Sequence, residues 1–265
     1  MSFASPVMLG RTGLRVGRIG LGASYGVSAS AIERAFHERG VNYFYWGSIR
    51  RRGMRDAVRH LAPAHRAGIV VALQSYDRTG LLMAPFLTRG LRALAIERAD
   101  VLILGWHQRP VPPRVLDAAF RLKDRGLVSH LAMSGHDRGL LGRLASDPAQ
   151  PFDVLMFRYN AAHRGAETEI FPLLGPGKRP GTIAYTATRW GQILDPKRMP
   201  RGERPPAAAD CYRFALTDPR VDMVLAGPAD DRELEEALAA LDRGALSAGE
   251  LERLRRIGDH VRGGG

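Results

Sequence analysis

The chain has 265 residues, 45% of them apolar and 25% charged, which suffices for one substantial core and excludes a disordered or fibrous class. No apolar run approaches the roughly 20 residues of a membrane span, and the N-terminus lacks a signal peptide's basic start and apolar stretch, so a soluble cytoplasmic protein is expected. A lone cysteine, Cys211, forbids an internal disulfide and cannot by itself supply a zinc or iron–sulfur site. The net charge of +12 rests on 36 Arg against three Lys (Lys123, Lys178, Lys197) spread along the whole chain. That distribution reads as a genome-wide preference for arginine rather than a binding patch; for the overall charge a phosphate-bearing small molecule carries more weight than nucleic acid, with non-specific attraction to polyanions as the plainer alternative.

In chain order, residues 7–9 and 14–16 flank the turn Arg11-Thr12-Gly13 and read as an N-terminal β-hairpin. Eight short aliphatic or β-branched runs follow, at 18–21, 42–45, 69–73, 100–104, 128–133, 153–157, 182–185 and 221–226. Between them lie apolar stripes at helical spacing: Ile32, Ala35 and Phe36; Met54, Val58 and Leu61; Leu116, Ala119 and Phe120; Leu234, Ala237, Leu238 and Leu241. Eight buried parallel strands, each followed by a helix or helix-length segment, predict an α/β fold, a (β/α)8 TIM barrel forming one domain over 1–265. Segments 174–181 and 195–207 read as surface loops, and the loops after the fourth and seventh strands as short, leaving an open site for a bulky substrate. Leu251, Leu254, Ile257 and Val261 predict a C-terminal helix, with 258–265 as a flexible tail.

A barrel of this kind builds its active site just past the C-terminal ends of its strands. Gly20-Leu21-Gly22 with Gly26 has the wrong spacing for a dinucleotide fingerprint and reads as a tight first turn.

The segment Leu9-Gly10-Arg11-Thr12-Gly13-Leu14-Arg15-Val16 followed by Ile19-Gly20-Leu21-Gly22 resembles the opening of the aldo-keto reductases. Gly40-Val41-Asn42-Tyr43-Phe44 is similar to their second strand, Ile183-Ala184-Tyr185 to their seventh, and Val224-Leu225-Ala226-Gly227 with the helix after it to their cofactor-binding end. The resemblance implies a barrel that binds extended NADP and reduces carbonyls with Asp, Tyr, Lys and His, the lysine lowering the phenol pKa so that the tyrosine can give up a proton. Here Tyr45 stands at the Asp position, Arg50 at Tyr, Gln74 at Lys and Gly105 at His. No lysine of the chain lies on a predicted strand, which removes the usual lysine-assisted tyrosine mechanism.

The resemblance also places Ser134 and Tyr185 at the nicotinamide, with Gly135 and Met156 replacing the usual Asn and Gln. At the adenine end Gly227 is in place, whereas Ala229, Asp230 and Glu233 stand where the family contacts the NADP 2′-phosphate. NAD is therefore less disfavoured than in relatives, and loss of the cofactor is the alternative. His107, His136 and His163 follow adjacent strands, which raises the question of a metal site, although no carboxylate stands with them and the plainer reading is three separate loop residues. Candidate catalytic residues are Tyr45, His107, Arg50 and Gln74; candidate substrate residues are Trp46, Trp106, Arg158, Asn160 and His136. Against them stand blander roles: an aromatic lid for Tyr45, solvated helix starts for the Arg50–Arg55 cluster, a turn cap for Asn160.

The expected function is nicotinamide-dependent oxidoreduction of a carbonyl on an anionic or bulky small molecule without the usual tetrad. The alternative is a non-reducing barrel, either a cofactor-independent isomerase, dehydratase or cyclase or a regulatory pseudoenzyme.

Overall fold

The computed structural model describes residues 2–22, 26–47, 52–175 and 177–263. The chain begins with an antiparallel hairpin, β1 (Val7–Met8) and β2 (Arg15–Val16), turned through a short 3-10 helix at Gly10–Thr12. Then come β3 (Ile19–Gly22), β4 (Tyr43–Trp46), β5 (Val70–Ser75), β6 (Ala99–Leu104), β7 (Val128–Gly135), β8 (Val154–Arg158), β9 (Gly181–Tyr185) and β10 (Met223–Ala226). These eight strands are parallel and close into a barrel, β10 pairing with both β9 and β3.

Helices cover the outside: α1 (Ala29–Arg39), α2 (Arg52–His65), α3 (Met83–Leu94), α4 (Pro113–Asp124), α5 (Arg138–Ser146), α6 (Ala166–Glu169), α7 (Ala208–Thr217), α8 (Asp231–Leu238), α9 (Ala240–Arg243) and α10 (Ala248–Arg262). Each barrel strand overlaps one of the eight runs expected from the sequence, offset by one or two residues at most ends. Two helical details differ. On α4 the buried face is Val115, Ala118, Ala119 and Leu122, and Phe120 of the expected stripe is exposed. The segment expected as a flexible tail is helical to Arg262, because Ile257, Gly258 and Val261 are buried; a side chain at Gly258 would collide with the Ala161 carbonyl.

Strand periodicity divides the core in two. Tyr43, Val70, Ala72, Val101, Ile103, Ala132, Val154, Met156, Ile183 and Met223 fill the barrel, and Leu9 and Val16 of the hairpin close its lower end. Phe44, Val71, Leu73, Leu102, Leu131, Leu155 and Phe157 point the other way, into the helices. Because side chains alternate, the residues two beyond the last interior layer project into the mouth. On β4, β5, β7, β8 and β9 those residues are Tyr45, Gln74, Ser134, Arg158 and Tyr185.

Among the described residues no helix is long and apolar enough to cross a membrane.

Candidate active site

A cleft of about 460 Å³ opens at the C-terminal ends of the strands. Its floor is Gly22, Tyr45, Gln74, Ser134, Met156 and Tyr185, its rim Tyr76, Trp106 and Trp190, and its far end Gly227, Pro228, Ala229, Glu233 and Glu236 beside the start of α8. Among the described residues that line it there is no Lys, Arg or His, and Glu233 and Glu236 are the only charges.

The floor is a mutually fitted set. Tyr45 lies beside Tyr76 in the lining, and burial, followed by the neighbouring phenols, pushes its pKa well above the ordinary tyrosine value. A side chain at Gly105 would collide with the Gln74 amide, so the space a histidine at 105 would need is held by the glutamine. The two departures from the implied tetrad thus accommodate one another.

The rim is fixed by side chains gripping the backbone. Arg78 donates to the carbonyls of Gly105 (2.7 Å) and Trp106 (3.0 Å), and Ser134 Oγ accepts from Trp106 N at 3.2 Å. This holds Trp106 at φ +57° with its indole 61% exposed. Across the mouth Thr186, Arg189 and Trp190 also have positive φ, at 59°, 52° and 53°. Asn160 Nδ2 donates to the Thr186 carbonyl at 2.7 Å, and Trp190 is 64% exposed. Left-handed backbone costs a non-glycine residue on the order of 1 kcal/mol, and four of the five such residues among those described gather round this opening.

Of the remaining candidates, His136 makes ring contacts with Trp106 and Tyr185, centroids 5.9 Å apart in each, and Tyr185 donates its hydroxyl hydrogen to the Gly135 carbonyl at 3.1 Å. Arg158 is half-buried beside Tyr185, its neighbour in register, outside the lining of the cleft.

Several expectations are corrected. Trp46 is 4% exposed and packs outward against Gly90 of α3, as the alternation of β4 requires. His107 is 5% exposed, its Nε2 lies 3.2 Å from Arg78 Nη1, and burial with the nearby guanidinium lowers its pKa to about 4. It lies behind the rim, outside the lining of the cleft. Asn160 is fully buried, its Oδ1 accepting from the backbone of Ala162 (3.0 Å) and His163 (2.9 Å) and its amide donating to Thr186. It caps the turn that follows it, the plainer of the two roles its position suggested, and ties that turn to the loop after β9.

Asp230 is an exposed cap on α8 that accepts from Glu233 N at 2.8 Å, and it lies outside the lining. Among the described residues no three His, Cys, Asp or Glu side chains gather as a metal site, so His107, His136 and His163 do not converge. Arg50, assigned to catalysis from sequence, and Arg51 lie outside the described residues. The connection after β9 is also not short: 186–207 intervene before α7, and Thr186, Thr188, Trp190 and Leu194 from it line the cleft.

The sequence reading missed Tyr212 of α7 and Glu236 of α8, which line the far end. No local pattern signals either one, since both sit on helices whose apolar stripes look ordinary.

No family model matches the chain, and no curated protein matches it in sequence. Solved structures do match. The aldo-keto reductase AKR11C1 of Bacillus halodurans superposes with a TM-score of 0.74 in both its apo and holo forms, covering 96% of each chain at 17% identity. A Pseudomonas aeruginosa protein assigned to the aldo-keto reductases gives 0.66, covering 91% of this chain and 97% of its own at 17% identity. The fold is that of the aldo-keto reductases. Within that aldo-keto reductase fold the cleft runs from the barrel mouth at Tyr45 and Gln74 to the start of α8.

Proposed function

We propose that the protein is a nicotinamide-dependent oxidoreductase of the aldo-keto reductase type that prefers NADH to NADPH and acts on the carbonyl of a bulky, ring-bearing substrate. The observation carrying this reading is the single cleft that joins Gln74, Ser134 and Tyr185 to Gly227–Ala229 at the α8 end. An extended dinucleotide needs such a course, with its nicotinamide at Ser134 and Tyr185 and its adenosine half at α8. The donor set there suits a ribose with a free 2′-hydroxyl. Glu233 Oε2 accepts from Ala229 N at 2.7 Å and Asp230 caps the helix, so carboxylates already take the amides that would bind a 2′-phosphate.

A bound dinucleotide would supply hydride. The Tyr45 phenol and the Gln74 amide are neutral donors on the floor, positioned to hydrogen-bond a carbonyl oxygen and stabilise the negative charge that develops on it. Tyr45, with its raised pKa and no lysine beside it, is a weak proton donor, so reduction should be slow. Trp106, Trp190 and Tyr76 offer ring faces to the substrate and shield the floor from water.

A second reading, a ligand-binding barrel without redox activity, draws support from the same lack of an easily ionised acid on the floor. Calorimetric titration with NADH and NADPH separates the two. NADH binding at micromolar to millimolar concentration, with NADPH weaker, is expected; no binding of either at millimolar concentration would overturn the redox reading.

A further inference from the structure

Beside the cleft, at the ends of β8 and β9, lies a group of cations that the proposed chemistry does not use. Arg158 ends β8 on the face that carries Met156 into the barrel, opposite Tyr185 in register. Arg189, in the left-handed turn after β9, donates to the Val261 carbonyl near the end of α10, one residue before Arg262. Arg138, at the start of α5, lies over Gly165. His163 closes the set, its Nδ1 3.2 Å from Asn160 Oδ1, which leaves Nε2 unbonded among the described residues.

Little offsets this charge. Glu169 pairs with Arg138, and the carbonyl end of α10 contributes a partial negative charge. Arg158 and Arg262 have no hydrogen-bond or ion-pair partner among the described residues. The strain is felt by both titrating neighbours. Burial and then Arg158, Arg189, Arg262 and Arg138 push His163 down to about 4, and Arg158 itself is lowered by burial and by Arg138, Arg189 and Arg262. Like charges held together at a strand-end mouth, with one guanidinium half-buried and unpaired, are a preorganised site for an oxyanion.

We infer that Arg158, Arg189, Arg262 and His163 form an anion-binding subsite at the edge of the mouth, which receives a phosphate or carboxylate carried by the substrate. The assignment to a substrate rests on reading the cleft as the active site; the anion subsite itself does not. Its position beside Tyr185, rather than at the acidic α8 end, places the anion at the reacting end of the cleft. It also reconciles an uncharged floor with a strongly basic chain: the reacting part of the substrate is neutral, and its charged group is held to one side.

The test uses the intact chain without cofactor. Inorganic phosphate and phenyl phosphate are titrated by calorimetry, and the His163 imidazole is followed by NMR across pH. Phosphate binding should raise the His163 pKa, since an added anion favours the imidazolium. Arg158→Gln should abolish that rise and weaken phosphate about tenfold, with the amide spectrum otherwise retained. Phenyl phosphate should bind more tightly than inorganic phosphate because its ring can reach Trp106 or Trp190. No phosphate binding, or binding that Arg158→Gln and Arg262→Gln leave unchanged, would overturn the subsite. Equal affinity for the two phosphates would overturn its assignment to a substrate. If NADH fails to bind while phosphate still shifts His163, the redox reading falls and the subsite stands.

Discussion

At the level of single residues, the mouth is defined by side chains that have exchanged charge for fit. Gln74 fills the volume next to Gly105, so Gly105→Ala should push the amide against Tyr76 and destabilise the protein by about 1 kcal/mol or more. Combining it with Gln74→Ala should recover part of that loss, and thermal melts of the two single variants and the double variant measure the coupling. His107 gives a pH signature. Its pKa is about 4 in the fold and near 6.5 when free, so the unfolded chain binds the proton first. Stability is then full above pH 6.5 and falls toward pH 4, by roughly 3 kcal/mol for this one group. Urea unfolding at several pH values should show that slope, and His107→Gln should lessen it, leaving the share that His163, also near 4, contributes over the same range. Alternation made Tyr45 legible as a residue of the mouth; the same rule puts its neighbour Trp46 outside, against the sequence expectation that it binds substrate. The turn cap made by Asn160 was among the readings its sequence position offered, whereas the grip of Arg78 on Gly105 and Trp106 and that of Asn160 on Thr186 were not legible, because those partners are backbone atoms 26 to 28 residues away.

Secondary elements supply two further tests. The start of α8 is closed by Asp230 and Glu233, so Glu233→Gln should shift cofactor preference toward NADPH by reducing the negative charge facing a 2′-phosphate. The ratio of NADPH to NADH affinity measures this, and an unchanged ratio would remove Glu233 from the adenosine end. The last helix is part of the fold. Gly258 lies against the Ala161 carbonyl in the segment between β8 and α6, where a methyl group has no room. Gly258→Ala should cost about 1–3 kcal/mol, read as a lowered Tm, although the residue is remote from the cleft. Apolar spacing announced this helix, but its end was misplaced because glycines beyond it suggested a tail; tertiary contact with Ala161 carries the helix on to Arg262.

For the molecule as a whole, the excess of arginine acts as a distributed field. Many guanidiniums pair with carboxylates or carbonyls, as Arg213 does with Asp210, Glu250 and the Gly244 carbonyl, yet a net charge of +12 remains. Exposed pairs contribute little, whereas self-repulsion acts over the whole surface. Raising sodium chloride from low to moderate concentration should therefore raise Tm, and phosphate should raise it further than chloride at equal ionic strength if the rim subsite is filled.

The sequence by itself determined the barrel, since a two-residue alternation inside eight short runs and a helical stripe between them report locally which side of each element meets the core. It also determined that no lysine stands at a strand end. The tertiary structure alone decided which groups meet at the mouth. Closure of β10 on β3 and the paths of the connecting loops brought Tyr212 and Glu236 from distant segments to the cleft, and left His107 and Asn160 buried outside its lining. Such convergence depends on three-dimensional closure, which leaves no period in the chain to read.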